Sequence, residues 1–483
     1  MAEVKIRDSY QNPLCGRYAS KEMKHLFSDD VKFSYWRKLW VALAKIEKDL
    51  GLDITDEQIA ELEANISNIN YEVAEQRERE CRHDVMSHVY AFGQQAPSAE
   101  PIIHLGATSC YVTDNTDVLI LREALTIVKK KLVGVIKLLS EFAEKNAGVV
   151  TLGYTHYQPA QLTTVGKRAT LWLQEFVENL EEVEWMISRL KLLGSKGTTG
   201  TQESFMKLFN GDEEKVKQLD KKLCEYFDFP NAFPVSGQTY PRSLDEKVID
   251  CLKHIATSAR KFAFDMRMLQ HDKELEEPFA KNQIGSSAMA YKRNPMRCER
   301  ICSLAVGLSG YSISATQMAD SQLLERTLDD SAIRRIILPE AFLSIDAILI
   351  IVANVCDDAV VYNKMIERHI QQELPFMATE EIIMKCVTEK GKSRQELHEA
   401  IRKHSMEATI NVKQKGLDNN LVDLIAADPL FELSAEDIRS ILEPANLCGR
   451  AKNQTLDYLH DYVYPVLEKY KDYLSNIDTN VNV

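Results

Sequence analysis

The sequence predicts a mostly α-helical fold built around a central bundle of long helices. Two observations predict it. Three segments repeat apolar residues at alternating steps of three and four, the spacing that lays one apolar stripe along a helix and suits near-parallel packing. Glycine and proline are also sparse, 19 and 14 in 483 residues, too few for a sandwich of many short strands. The 45% hydrophobic and 27% charged content is that of a soluble globular chain. Its length calls for two or three domains or one elongated core.

The opening segment, MAEVKIRDSYQNPLCGRY, has no apolar core of signal-peptide length. Residues 1–108 read as a mixed, mostly helical N-terminal domain, and residues 109–361 as the bundle. The first stripe runs Val118, Leu121, Leu125, Val128, Leu132, Val135, Leu139 and Phe142, and Asp114 and Asn115 offer an N-cap before it. Ala169, Leu173, Phe176, Leu180, Val183, Ile187 and Leu190 make the second. Val248, Leu252, Ile255, Ala259, Phe262, Met266 and Leu269 make the third. The first stripe alone implies roughly 37 Å of helix at about 1.5 Å per residue. Such helices exceed the usual length of about 11–12 residues and fit an extended bundle, one that subunits can share. After VVYNKMIERHI (360–370) the helices shorten and Pro375, Pro429 and Pro444 punctuate the chain. Residues 362–483 therefore read as a smaller helical C-terminal domain, whose last residues, SNIDTNVNV, are expected to fray.

Several function classes are disfavoured. A net charge of −13 argues against a general nucleic-acid binder. The most hydrophobic run, AILIIVANV (347–355), is too short to span a bilayer, so no membrane partner is expected. Ten cysteines lie scattered with no CxxC pair, and Cys298 and Cys302, one helical turn apart, have no second pair to complete a zinc site. Reduced thiols in a cytoplasmic protein are the expectation.

Polar loops interrupt the stripes, and free backbone amides at long-helix termini can bind anions. They are IIHLGATSCYVTDN (102–115), LGYTHYQPAQLTT (152–164), KGTTGTQ (196–202), VSGQTYPRS (235–243) and GSSAMAYKRNP (285–295). In RHDVMSH (82–88), His83 and His88 are five apart, so they do not share a helix face as an i, i+4 metal pair would. His156 differs, lying among glycine, threonine, glutamine and proline where an imidazole can titrate near neutral pH. Segment 285–295 combines a glycine turn, the hydroxyls of Ser286 and Ser287, and Lys292 and Asn294, which suit a carboxylate. That is either a device for stabilising a developing dianion or a solvated turn. Arg17 and Tyr18, and Arg326, Ser331, Arg334 and Arg335 in ERTLDDSAIRR (325–335), can grip a phosphate or stay solvated.

Taken together, RHDVMSH, IHLGATSCYVTDN, TLGYTHYQPAQLTTVGKR, KGTTGTQ, GSSAMAYKRNPMRCER and ERTLDDSAIRR resemble the fumarase/aspartase superfamily, and within it the adenylosuccinate lyase family. The likeness runs from about residue 8 to about residue 470, with the motifs in the expected order. Two positions depart from the pattern. The signature GSSxMPxKxNP has Ala290 where proline is usual, and Ile333 stands where asparagine is common. Alanine should leave the loop more mobile when empty.

The resemblance implies a three-domain fumarase/aspartase-like fold with its central long-helix bundle shared in a homotetramer, and active sites assembled from loops of three subunits. It implies β-elimination of fumarate from adenylosuccinate and from the succinylated carboxamide ribotide of purine synthesis, with no metal or organic cofactor. Ser286 would be the base, His156 the acid, Glu299 the group orienting His156, and Lys292 a cation beside the loop. Thr108, Ser109, Gln238, Lys292 and Asn294 would lie near the succinyl carboxylates. Arg17, Tyr18, Arg326, Ser331 and Arg335 would meet the nucleotide, and Arg82, His83, Asp84 and Arg300 would complete the pocket. The paired Ser331 and Arg335, with Arg17 and Tyr18, favour a phosphorylated substrate over argininosuccinate. Intact Ser286, His156, Glu299 and Lys292 argue against a bundle kept for structure alone.

Overall fold

Five long helices dominate the fold, as a computed structural model that describes residues 9–481 shows. They span Ser109–Lys145, Val165–Arg189, Ser243–His271, Met296–Asp320 and Ser331–Asp358. The predicted stripes are what they bury: Leu121, Leu125, Val128, Leu132, Leu173, Phe176, Val248 and Leu252 are all 0–1% exposed. Each fully buried side chain of this size contributes about 1.5–3 kcal/mol before chain entropy is counted. The three stripes thus make one continuous core.

Direction along the bundle follows from its ends. Arg242, at the start of the Ser243–His271 helix, binds Asp330, at the start of the Ser331–Asp358 helix. Beyond the far ends of the same two helices, Leu275–Glu276 pairs with Val360–Val361. These helices are therefore parallel, and Met296–Asp320 returns between them.

The Ser331–Asp358 helix carries no stripe because it is buried almost all round. It contains AILIIVANV and, at 28 residues with a window of mean hydropathy 2.3, is long and apolar enough to cross a membrane. In this fold 83% of that window is buried inside the protein. The nine-residue run therefore understated the apolar element it belongs to.

Four further expectations are corrected. Asp114 and Asn115 do not cap the first long helix, which begins at Ser109 after Thr108. Both lie inside it and point inward: Asp114 accepts from Tyr240 N–H and Arg242, and Asn115 bridges Tyr111 and Gly194. Buried partners outweigh their preference for a cap. For the same reason IIHLGATSCYVTDN is helical from Ser109 onward. The stretch LGYTHYQPAQLTT is mostly an antiparallel hairpin, Val150–Thr155 against Gln158–Thr164. The tail does not fray over its described part, since Ile477 packs on Gly134 and Thr479 O accepts from Asn354 Nδ2 at 2.9 Å. Residues 482 and 483 of the tail, and residues 1–8 of the opening segment, lie outside the described residues.

A second, smaller core forms from Ile382, Leu397, Ile401, Leu421, Ile425, Phe431 and Ile438. Leu459, Val463 and Leu467 rejoin the main core. All ten cysteines are free.

Candidate active site

At the Arg242 end of the bundle lies a cavity of about 620 Å³. Seven of the predicted site residues line it: His83, Asp84, Ser109, Gln238, Arg326, Ser331 and Arg335. His83 is the N-cap of the Asp84–Gln95 helix, and its Nδ1 accepts from Met86 N–H at 3.3 Å. That leaves Nε2 to carry the ring proton toward Ser109 Oγ, 3.4 Å away. Asp84 Oδ2 lies 3.5 Å from Arg335 Nη2, and Gln238 Oε1 accepts from Cys110 Sγ–H at 3.6 Å. Arg82 stands just before His83 in a left-handed conformation, φ 54°. Thr108 is the N-cap residue of the Ser109 helix, with a side chain that does not cap it. Its hydroxyl is thus left for another partner.

Beneath these residues lies a buried ion network that the sequence analysis did not single out. Arg242 binds Asp114 at 2.9 Å and Asp330 at 2.6 Å, with all three side chains at most 2% exposed. Asp330 also accepts from Arg326 at 2.7 Å. Burial alone would push the Asp330 carboxyl up, but Arg242 and Arg326 hold it below the usual range. Arg334 binds Asp117 at 2.8 Å and Asp245 at 2.7 Å, and donates to Tyr240 Oη at 2.5 Å. The adjacent arginines thus part company: Arg334 is locked in the protein, while Arg335 remains 70% exposed at the cavity. One signal could have revealed the network. Asp114 falls one helical turn before Val118, where a stripe residue would be apolar.

The remaining predicted residues are elsewhere. His156 and Tyr157 form the two-residue tip of the hairpin, and both have positive φ, 50° and 63°. A tight turn of this kind favours asparagine and glycine. Two bulky residues in the left-handed region hold strain on the order of 1–3 kcal/mol each, of the sort found at functional sites. The segment that carries Ser286, Lys292 and Asn294 is a closed loop. Ser286 Oγ accepts from the N–H groups of Ala288 and Met289 at 3.3 and 3.2 Å, and Asn294 Nδ2 donates to Gly285 O at 2.7 Å. A β-carbon at Gly285 would collide with the Lys292 carbonyl, so only glycine closes this neck. Glu299 is exposed on the first turn of the next helix, and the Arg300 guanidinium lies 5.5 Å from the Tyr18 ring. Arg17 is exposed in the short turn Leu14–Tyr18.

Helix length separates these groups. The Ser243–His271 helix has 29 residues, about 42 Å at about 1.5 Å per residue. The cavity is at its start, and the 285–295 loop lies past its end, where Gln270 Nε2 donates to Arg293 O at 3.1 Å. The hairpin is at that far end too, since Thr151 Oγ1 donates to Glu274 at 3.4 Å.

Histidines that could be mistaken for site residues are explained by the core. His88 stacks on Phe33 at 3.8 Å, and His104 accepts from Trp40 Nε1–H at 2.9 Å. Burial pushes both imidazoles down to about 4, so they stay neutral.

Comparison with known proteins gives the family. A family described as "Lyase" matches residues 18–310, and one described as "Adenylosuccinate lyase C-terminus" matches residues 375–457. Adenylosuccinate lyase of Saccharomyces cerevisiae is 50% identical over 479 residues, 99% of each chain. Those of Schizosaccharomyces pombe and Schistosoma mansoni are 49% and 44% identical over at least 97% of each chain. The chain belongs to the adenylosuccinate lyase family.

As a member of that family it is a lyase. Among solved structures, a 3-carboxy-cis,cis-muconate lactonizing enzyme from Pseudomonas putida superposes with TM-score 0.81 at 21% identity, covering 96% of this chain and 100% of its own. A fumarate lyase from Mesorhizobium sp. BNC1 gives 0.78 at 21%, covering 94% and 100%. At such identity they speak for the fold alone, the fumarase/aspartase-like long-helix bundle. Of the two departures, Ile333 is half-buried and packs against the main core, while Ala290 is exposed on the loop.

Proposed function

We propose that this lyase eliminates fumarate from adenylosuccinate to leave AMP, and from succinylaminoimidazole carboxamide ribotide to leave aminoimidazole carboxamide ribotide, in purine nucleotide biosynthesis in the cytoplasm. Within the geometry one observation carries the chemical step: two backbone N–H groups point at Ser286 Oγ in an exposed loop that also bears Lys292. A serine is a poor base unless its alkoxide is stabilised, and two amide donors in a loop that carries a cation favour that form.

Ser286 takes the proton from the carbon beside a succinyl carboxylate. The aci-carboxylate that results is held by fixed donors, for which Thr108, Ser109, Gln238, Lys292 and Asn294 are the candidates. His156, oriented by Glu299, protonates the departing purine nitrogen. Arg17, Tyr18, Arg326, Ser331 and Arg335 receive the nucleotide, chiefly its phosphate, and Arg82, His83, Asp84 and Arg300 close the pocket. Neither half of the step changes oxidation state at the protein, so its own side chains suffice.

The separation of about 42 Å along one 29-residue helix supports sites shared between subunits, in the homotetramer that the family resemblance implies. A cavity at one end and a base and acid at the other meet when a second copy runs antiparallel to the first.

The test is the ultraviolet spectrum of purified protein mixed with adenylosuccinate, with fumarate and AMP quantified. Equimolar appearance of both is expected, and a folded assembly that releases neither overturns the reading. Ser286→Ala should abolish turnover and leave assembly and AMP binding intact.

A further inference from the structure

We propose that Glu276 is the fixed post on which the 285–295 loop is mounted, a positioning residue that sets Ser286 and Lys292 through Arg293 without touching substrate. The inference rests on the role given to that loop above.

Glu276 lies on the two-residue strand Leu275–Glu276, paired antiparallel with Val360–Val361. Its neighbours clamp the backbone from both sides. The Glu274 carboxylate, 0% exposed, is 2.8 Å from His369 Nδ1, and Glu274 O accepts from Tyr362 N–H at 2.8 Å. The Glu277 carboxylate accepts from Arg297 N–H and Cys298 N–H, both at 3.0 Å, and so holds the start of the helix that follows the loop. With its flanks tied in this way, the Glu276 carboxylate faces the loop. Its Oε2 accepts from Tyr362 Oη at 2.7 Å and from Arg293 Nη1 at 3.2 Å.

Arg293 is where the loop meets this post. Its guanidinium lies 5.0 Å from the Phe279 ring, and its carbonyl accepts from Gln270 Nε2 at 3.1 Å. One residue on, the Asn294 bond to Gly285 O closes the neck. Past the neck, among the described residues, the hydrogen bonds of residues 286–292 run within the segment, from Ala288, Met289 and Lys292 N–H and from Tyr291 Oη. Tyr291 is 84% exposed and Met289 51%. The catalytic part of the loop is thus a small self-bonded knot whose placement is decided at its neck. The Glu276–Arg293 pair is partly exposed, 20% and 50%, so it holds the neck without being part of the core.

The experiment uses the full chain and three variants: Glu276→Gln, Arg293→Met, and the reversal Glu276→Arg with Arg293→Glu. A misplacement near 1 Å costs on the order of 10- to 100-fold in rate, so each single variant should lose about that much in kcat. AMP binding should be unchanged, and Tm should stay within about 2 °C of wild type, as expected for a partly exposed pair. Hydrogen exchange of residues 285–292 should speed up in both single variants, and the reversal should restore part of kcat and of the protection. Wild-type kcat and loop exchange in Glu276→Gln would overturn the proposal. So would a fall in kcat that tracks a fall in Tm with loop exchange unchanged, since that is ordinary structural damage. Loop exchange needs no substrate, which separates the two readings. Faster exchange in a chain that never cleaves adenylosuccinate keeps the post and sinks the reaction, whereas unchanged exchange in an active enzyme does the reverse.

Discussion

The two ends of the bundle are built on opposite principles. At the Arg242 end, charged groups are buried and cross-linked: Asp114, Arg242, Asp330 and Arg334 are each 9% exposed or less, and each has at least two polar partners. At the other end, of the groups proposed for chemistry, His156 stands exposed on a strained turn, and Lys292 is exposed and Ser286 half-buried on a self-bonded loop. A buried network costs desolvation but cannot rearrange, which suits a cavity that must hold its shape. A loop on a narrow neck can move over a substrate, which suits groups that act only once it is bound. Rigidity and the proposed reactivity thus lie about 40 Å apart along the same helices.

The largest expected effect breaks the rigid end. Arg242→Met leaves Asp114 and Asp330 buried without their shared partner and should cost about 3–5 kcal/mol in denaturant unfolding. A variant of wild-type stability would mean that water or Arg326 already serves those carboxylates. At the opposite end, His156→Asn keeps a residue that tolerates positive φ while removing the proposed acid. Turnover should fall on the order of 10²–10⁴-fold with Tm unchanged. If Tm fell as well, the imidazole would be supporting the hairpin rather than the reaction.

A buried carboxyl near the rigid core also makes stability depend on pH. Glu47 is 0% exposed, neither carboxylate oxygen has a hydrogen-bond partner among the described residues, and burial pushes its carboxyl up to about 9 from an ordinary 4.5. The folded state therefore keeps a proton that the unfolded chain releases. Stability from this group is full below pH 4.5 and is lost as pH rises toward 9. Glu47→Gln removes that slope. It should be close to neutral at pH 5 and stabilising by roughly 4 kcal/mol at pH 8, in unfolding curves taken at both. Equal differences at the two pH values would show that Glu47 ionises in the fold.

Ala290→Pro, the smallest change, restores the stiffer residue of the signature. It should add about 0.4–1 kcal/mol of loop order, lower KM a few-fold and leave kcat alone. A lower kcat would instead show that the loop must flex at that position during turnover.

Local chemistry explains which parts could be read early. Ser286, Lys292 and Asn294 lie within nine residues whose composition breaks a helical pattern, so the loop announces itself. The three stripes are equally legible, because burial of one helix face leaves a period in the chain. The hairpin was not, since Gly153, Pro159 and two glutamines read as a polar loop, and only strand pairing in three dimensions satisfies their backbone. Nor was the ion network, because a stripe marks apolar positions and says nothing of a charge that faces inward to a partner 126 or 128 residues away, as Asp114 faces Tyr240 and Arg242. The tail misled for a related reason: Ile477 is one apolar residue among polar ones, and it matters only because Gly134 leaves a hollow for it.

Periodicity, sparse glycine and proline, and six ordered motifs were enough to point to a long-helix lyase and to single out the loop proposed for its chemistry. They act over short stretches of chain, where solvation and backbone geometry leave a signature in neighbouring residues. Which end of the bundle each group occupies, which charges are paired, and what anchors the loop were settled by packing. Those outcomes depend on partners far apart in sequence, and desolvation makes a buried charge tolerable only once such a partner has arrived.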